Sequence, residues 1–391
     1  MSVIGIVCEF NPFHAGHKYL FDRARELGAK NIVCAMSGNA VQRGELAIFD
    51  KYSRARAALE NGTDLVLELP FPWSAGSAEY FATAGIKVLS YYCDAIIFGS
   101  ECGDIELLYK AAEFALTDEF SAEFEARKKS GEGAASAYFS LLEERIGIKL
   151  SSNDILGVEY IKAAKKCGAN LKFYTVCRLG NAYRDNNIHD GEIPSASAIR
   201  RALFEENDEA LMRVQRYTEQ SLRRALRTGE ITNPTLLEKF ILAHFRLCAP
   251  SDISSYAECD GGVAERICSV ARESVDIDGF FDELKTKRYT DAKMRRAILF
   301  ALTRVERKLL LQTPEYLYLL AANESGRELL STVKKSGRED YISVVTKPAD
   351  APRESEQFIA EERLNAIFSL ARERALPMSE AYRKNAFIKN D

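Results

Sequence analysis

The chain has 391 residues, 47% hydrophobic and 28% charged, with a net charge of −4. That size allows two or three domains and that balance is ordinary for a globular protein, while the acidic total excludes a uniformly basic, nucleic-acid-coating chain. No uninterrupted apolar run is long enough to span a bilayer and the first residues lack a basic leader, so the expected compartment is the cytoplasm, with no membrane partner. Nine scattered cysteines without a CxxC pair read as free thiols rather than a disulfide framework or a zinc site.

The first element is the apolar, β-branched run Val3-Ile4-Gly5-Ile6-Val7-Cys8, which stops at Asn11-Pro12. A short turn carries His14-Ala15-Gly16-His17, and Leu20, Ala24 and Leu27 then share one helical face. The pattern predicts strand, phosphate turn and helix. A buried parallel strand delivers the chain to the carboxyl edge of a sheet, where a new helix begins with unpaired N–H groups and a positive dipole end. Gly16 lets the backbone approach a ligand. Two imidazoles at i and i+3 can donate to phosphate oxygens and stabilise charge that builds up during nucleotidyl transfer. An HxxH pair alone is also compatible with surface histidines at a helix start or with a metal pair.

A second strand is expected over Asn31 to Met36, followed by a polar loop with two glycines, Ser37 to Glu45, and by a helix from Asp50 to Leu59. Asp64 to Leu69 predicts a third strand, stopped by Pro70. Trp73, in the loop beyond, is either a core anchor or the wall of a small-substrate site. Ala78 to Tyr92 reads as helix and Asp94 to Phe98 as a fourth strand closing in Gly99, where a ribose or base can come close. Residues 104–149 form a helical insertion. Asn153 either belongs to the cap of the next helix or offers its amide to a nucleotide. Leu171 to Arg178 reads as a fifth strand, with Arg178 at its carboxyl end. Ser195 and Ser197 then open a helix that carries Arg200 one turn in, a pattern that is either a plain cap or a second phosphate grip.

From about residue 205 the pattern is mostly helical, for example over Leu222 to Leu226 and Leu236 to Leu247. Lys287, Arg288, Lys293, Arg295 and Arg296 crowd around Tyr289, which suits either a solvated helix face or contact with a phosphate backbone. A strand is expected over Tyr341 to Val345 and an amphipathic helix over 354–374.

The His14-Ala15-Gly16-His17 turn resembles that of the HxGH nucleotidyltransferase superfamily, whose two motif histidines bind the phosphates of ATP. The Ser195/Ser197/Arg200 turn is similar to its second motif. In order, Glu9-Phe10-Asn11-Pro12-Phe13-His14-Ala15-Gly16-His17, Ser37-Gly38-Asn39, Gln42-Arg43-Gly44, Glu68-Leu69-Pro70, Phe98-Gly99-Ser100-Glu101, Ser152-Asn153-Asp154, Pro194-Ser195-Ala196-Ser197-Ala198-Ile199-Arg200 and Lys287-Arg288-Tyr289-Thr290 resemble the bacterial tRNA(Met) cytidine acetate ligases over essentially the whole chain. The resemblance implies ATP and acetate as substrates, elongator tRNA(Met) as partner, and N4-acetylcytidine at the wobble position as product. Mg²⁺ would travel with ATP rather than sit in a protein cage. The implied nucleotide site runs through Val7-Cys8-Glu9-Phe10-Asn11-Pro12-Phe13-His14-Ala15-Gly16-His17-Lys18-Tyr19-Leu20, with Gly99, Asn153 and Arg178. Ser195, Ser197 and Arg200 join it from the reading of the second motif. The expected class is α/β, a Rossmann-like parallel sheet over 1–205 followed by a mostly helical, tRNA-binding region over 206–391. A small-molecule acid ligase or adenylyltransferase shares both motifs, and a non-catalytic nucleotide- or RNA-binding module is the reading from another class.

Overall fold

The run Val3–Cys8 forms β1, buried along its whole length, and becomes the central strand of an eight-stranded sheet. The computed structural model describes residues 3–177, 196–204, 223, 230–286, 288–337 and 340–389. Arg178, Ser195, Lys287, the loop Leu179 to Asp185 and most of Leu222 to Leu226 lie outside the described residues.

β1 pairs in parallel with β2 (Asn31–Ser37) on one side and with β6 (Ala95–Ser100) on the other. β5 (Leu65–Leu69) continues the sheet beyond β2, and β7 (Lys172–Cys177) beyond β6, both parallel. Such strands are covered on both faces, which is why they read as unbroken apolar runs rather than as alternation. The chain moves outward from β1 to β5, then returns to the other side of β1 to make β6 and β7. The connections leaving β1 and β6 therefore diverge and open a crevice at the carboxyl edge. Between β2 and β5 lie the small hairpin β3 (Ala40–Val41) and β4 (Glu45–Leu46), within the stretch expected as a loop, and α2 (Lys51–Glu60).

The first helix, α1 (Ala15–Glu26), starts at the end of β1, and α3 (Ala78–Leu89) lies between β5 and β6. The expected insertion is a layer of three helices, α4 (Ile105–Phe114), α5 (Asp118–Lys129) and α6 (Ala134–Ile146), beside α7 (Ser152–Cys167). Gly157 sets how close α7 comes to the sheet: a Cβ there would lie 2.4 Å from the Phe98 ring. Only glycine allows that approach, which brings the start of α7 to the end of β6.

The helix of the second motif is α8 (Ala196–Phe204), and the described part of the second half begins as expected with helices, among them α9 (Glu238–Leu247), α10 (Val263–Glu273), α11 (Ile277–Leu284) and α12 (Asp291–Thr303). It then departs from the expectation. Tyr316–Ala322 is not helix but β8, fully buried and antiparallel to β5. β9 (Ser343–Val345) and β10 (Phe387–Ile388) pair with β8 in parallel, and α13 (Glu324–Lys335) and α14 (Glu356–Leu370) connect them. A boundary at residue 205 therefore does not bound the sheet, because the later region supplies three of its strands. The reason is physical: β5 would otherwise present an open ladder, and an apolar run such as Tyr-Leu-Tyr-Leu-Leu-Ala-Ala satisfies it. Trp73 is resolved as an anchor. It is buried and its Nε1 donates to the Gln312 carbonyl at 2.9 Å, across the two halves. All nine cysteines are free. Among the described residues no helix is long and apolar enough to cross a membrane.

Candidate active site

The turn between β1 and α1 is tightly built. Phe10 holds a φ of 46°, unusual for a bulky side chain, and is buried against Phe13, Phe21 and the His17 ring, with centroids 5.1, 5.8 and 4.8 Å away. Left-handed backbone at such a residue costs of order 1–3 kcal/mol and persists only where packing over-determines it. His14 is the N-cap of α1 and its Nδ1 accepts the Gly16 N–H at 3.1 Å. The Nδ1 of His17 accepts the His14 N–H at 3.2 Å. With both Nδ1 atoms acting as acceptors, the proton of each neutral imidazole sits on Nε2. The rings lie 3.9 Å apart, so two Nε2–H donors are presented side by side at a helix N-terminus.

Three residues hold the turn from outside. Arg54, fully buried on α2, donates from Nε to the Phe49 carbonyl at 2.9 Å and from Nη1 to the Ser37 carbonyl at 3.1 Å, and also to the carbonyls of Glu9 and Gly38. Burial lowers its pKa to about 10. Arg200 donates from Nη1 to the Asn11 carbonyl at 3.0 Å, and its Nη2 lies 3.8 Å from Glu45. The Oε1 of Glu9 accepts the Gln42 N–H at 2.8 Å. Burial pushes the Glu9 carboxyl above the usual range, opposed by that N–H and by Arg200 and Arg43.

Of these groups His14, His17, Glu9, Glu45 and Arg200 border a cavity of about 750 Å³, within the usual range for small-molecule sites. The N-terminal turns of α1 (His14, Gly16), α3 (Ser77, Ala78), α7 (Ser152, Asn153) and α12 (Thr290, Ala292) all line it, as do the first described residues of α8 (Ala196, Ser197). Each helix brings the positive end of its dipole, so the cavity is suited to a polyphosphate. Gly99 lines it from the end of β6, and Arg200 from the second motif. The far wall comes from the insertion, where Phe124, Tyr138 and Phe139 are joined by Glu159 and Lys162 of α7. There Lys162 bonds Glu159 at 2.9 Å and Tyr138 at 2.5 Å, a buried ion pair under a half-buried hydroxyl that composition alone does not disclose.

The expected residues divide into groups. Val7, Cys8, Glu9, Phe10, Asn11, His14, Gly16, His17, Tyr19, Leu20, Gly99, Asn153, Ser197 and Arg200 line the cavity. Phe13 is wholly buried beneath the turn, and Lys18 is paired with Asp22 on the outer face of α1. Pro12 and Ala15 shape the turn without lining the cavity. The Asn153 Nδ2 is engaged by Glu101 at 2.6 Å, and the capping box of α7 is made by Ser151 and Asp154 instead. Glu45 was expected only as the end of the polar loop Ser37 to Glu45, and Arg54 only as part of the helix from Asp50 to Leu59.

The basic stretch also divides. Arg296 is a buried residue that borders the cavity, and its guanidinium makes two bonds to Glu258, at 2.7 and 2.8 Å. Arg295 pairs with Asp291 at 2.9 Å, stacks on Phe281 at 4.1 Å and lies 3.9 Å from Glu45. Arg288 is exposed and Lys293 half-exposed, flanking the Tyr289 ring at 5.4 and 5.5 Å. Gly44 brings this helix to the site: at φ 74° its missing Cβ would lie 2.5 Å from the Arg296 backbone nitrogen, so the β3–β4 turn rests directly on α12.

The chain matches the family model described as HIGH Nucleotidyl Transferase over residues 1–382. It is 35% identical to the tRNA(Met) cytidine acetate ligase of Fervidobacterium nodosum, covering 93% of this chain and 89% of that one. It is 32% identical to the enzyme of the same name from Clostridium perfringens, with 91% and 92% covered. Its fold is similar to the crystal structure of apo Thermotoga maritima TmcAL, with a TM-score of 0.90, 29% identity and all of both chains covered. The form of TmcAL bound with alpha-thio ATP matches with a TM-score of 0.87 at 28% identity, again over both chains in full. With the paired imidazoles at the start of α1 and the cavity beneath them, these likenesses lead to one conclusion: the chain belongs to the HIGH nucleotidyl transferase family and, within it, to the tRNA(Met) cytidine acetate ligases.

Proposed function

We propose that this protein uses ATP and acetate to acetylate N4 of the wobble cytidine of elongator tRNA(Met) in the cytoplasm. The observation that carries the reading is the convergence of the two Nε2–H imidazoles and several helix N-termini on one cavity. Supporting it, relatives over most of the chain bear the name tRNA(Met) cytidine acetate ligase, and a structural neighbour binds an ATP analogue.

An acetate oxygen attacks the α-phosphorus of ATP, and the bond to the β-phosphate oxygen breaks to release pyrophosphate. His14 and His17 donate to the phosphate oxygens on which charge accumulates, and Arg200, with Ser197 at the start of α8, adds donors to the same oxygens. Ser195 and Arg178 complete the grip in this reading. The cytidine amine then attacks the acyl carbon of acetyl-adenylate, the carbon–oxygen bond to AMP breaks and the amine sheds a proton. No enzyme nucleophile is needed, so the chain's task is positioning and charge stabilisation. Among the described residues no cluster of three or more His, Cys, Asp or Glu side chains could hold a metal ion, and Mg²⁺ enters as part of the ATP substrate. The region 206–391 serves as the tRNA-binding side, with Arg288, Lys293 and Arg295 set near the cavity through α12; the proposed role of Lys287 falls outside the described residues.

The test is a nucleoside digest, read by mass spectrometry, of unmodified elongator tRNA(Met) after incubation with the protein, ATP, Mg²⁺ and isotope-labelled acetate. Labelled N4-acetylcytidine is expected. AMP and pyrophosphate without labelled cytidine would reassign the acceptor, and the absence of all three would overturn the reading.

A further inference from the structure

Asn11 stands out on the cavity wall because its side-chain amide is only half satisfied. The residue is 3% exposed. Its Oδ1 accepts the Ile48 N–H at 2.9 Å, which fixes which way the amide faces. Its Nδ2, buried, has no hydrogen-bond partner among the described residues. Buried donors are almost always paired, so one left unpaired in a residue that borders the cavity calls for a ligand acceptor. Asn11 lies three residues before His14 and its main-chain carbonyl takes the Arg200 Nη1 bond, so the residue belongs to the same turn as the imidazole pair and adjoins the guanidinium.

We propose that the Asn11 amide binds the carboxylate of the acid substrate, an inference that rests on the acetate-activating reading above. Three features select a carboxylate over a phosphate. The triphosphate already has imidazole, guanidinium and helix-terminus donors suited to high charge. Arg200 faces Glu45 and holds the Asn11 carbonyl, so it is not the acid's dedicated partner. A carboxylate that must act as nucleophile is best held by a neutral donor, which orients one oxygen without neutralising the other. The depth of Asn11 also limits its ligand to something small.

The two carboxylate oxygens then have different fates. The one not bonded to Asn11 gives its electron pair to the α-phosphorus while the pair of the breaking bond leaves with pyrophosphate. The oxygen on Asn11 Nδ2 becomes the carbonyl oxygen of the acyl-adenylate. When the amine adds to that carbon, the same N–H meets the oxyanion that forms. Asn11 thus serves both halves of the reaction with one bond.

Asn11→Leu, nearly isosteric and uncharged, removes the donor without placing a negative charge beside the two anionic substrates, at the cost of the acceptor for the Ile48 N–H. Initial rates of AMP formation should show the KM for acetate raised about 10- to 100-fold, as for loss of a hydrogen bond to a charged group, with the KM for ATP within about twofold of wild type. An unchanged acetate KM overturns the proposal. A rise in the ATP KM as large as that for acetate also overturns it, by assigning the amide to the phosphates. A second measurement does not depend on the variant's folding or activity. In wild-type protein carrying ¹⁵N-asparagine with a non-hydrolysable ATP analogue bound, the Asn11 side-chain resonance, identified through Asn11→Asp or Asn11→Gln, should shift on adding acetate; no shift overturns the inference. If the wild-type protein forms no AMP from ATP and acetate, the functional reading itself fails and takes this inference with it. That outcome is distinct from a working enzyme that is indifferent to Asn11.

Discussion

The guanidinium of Arg54 donates to the main-chain carbonyl of Glu9, and through its other bonds it ties the end of β1 to the end of β2. A buried cation here replaces the hydrogen bonds that the carbonyls of Glu9, Ser37, Gly38 and Phe49 would otherwise lack. Arg54→Ala should therefore lower stability by about 3–5 kcal/mol in urea unfolding with an unchanged m-value. Arg54→Lys should recover only part of this, because one ammonium cannot span carbonyls that diverge.

Replacing His17 by alanine should lower acetate-dependent AMP formation by about 100- to 1,000-fold, the usual loss for a donor that meets developing charge. The fold should survive, with a stability loss of about 1 kcal/mol from the missing cap contact to the His14 N–H. Circular dichroism together with an AMP assay separates the two effects. Activity near wild type would remove the HxGH assignment.

The basic stretch yields a contrast. Arg288→Glu with Lys293→Glu should weaken tRNA binding, reduce the slope of log affinity against log salt by about 2, and spare acetate-dependent pyrophosphate exchange. Arg296→Ala should instead cost about 3 kcal/mol of stability, since it strands Glu258 in a half-buried site. Filter binding across a salt series and thermal melts distinguish these outcomes.

A pH effect follows from Glu361 on α14. Its Oε2 accepts the Tyr316 hydroxyl at 2.7 Å and its Oε1 the Gln357 amide at 3.0 Å. Burial, reinforced by the Glu68 carboxylate and opposed by Lys51, pushes its pKa up to about 8. The unfolded chain releases that proton near 4.5, the ordinary value for this group. Between those limits the folded state binds the extra proton, so stability should fall as pH rises, by about 1.4 kcal/mol per pH unit at the steepest. Glu361→Gln should flatten that slope in unfolding measurements from pH 5 to 8.

The chemistry of the site was far more legible than its scaffolding. The strand–turn–helix run from Val3 to Leu20 reveals itself because the apolar period, the proline break and the two histidines are local in sequence. Gly99 and Asn153 fall at the ends of regular elements, where a parallel sheet exposes its edge. Arg54 could not be found this way: inside Lys51-Tyr52-Ser53-Arg54-Ala55-Arg56 it looks like any helical arginine, and only the folded chain gathers four carbonyls around it. Glu45 gains its meaning from Arg200 and Arg295, which are remote in sequence. β8 was hidden for another reason, since a short, unbroken apolar run has no period to tell strand from buried helix. The crowding of arginines near 288–296 suggested one surface, but Glu258 and Asp291 take up two of them.

Leu65 faces Ala322 across the β5–β8 ladder, and this sets a schedule for the nascent chain. The catalytic turn precedes β8 by about 300 residues, and the edge of the sheet beside it stays unsatisfied until β8 is translated. At ordinary elongation rates of about 5–20 residues per second, β5 waits on the order of 10–50 s with its hydrogen-bonding groups unpaired. A ribosome halted before Tyr316 would hold a chain with both histidines in place and an open strand beside them, adhesive to any similar strand nearby. Closing this sheet thus comes long after its centre is made, and the interval between is when a chaperone has most to protect.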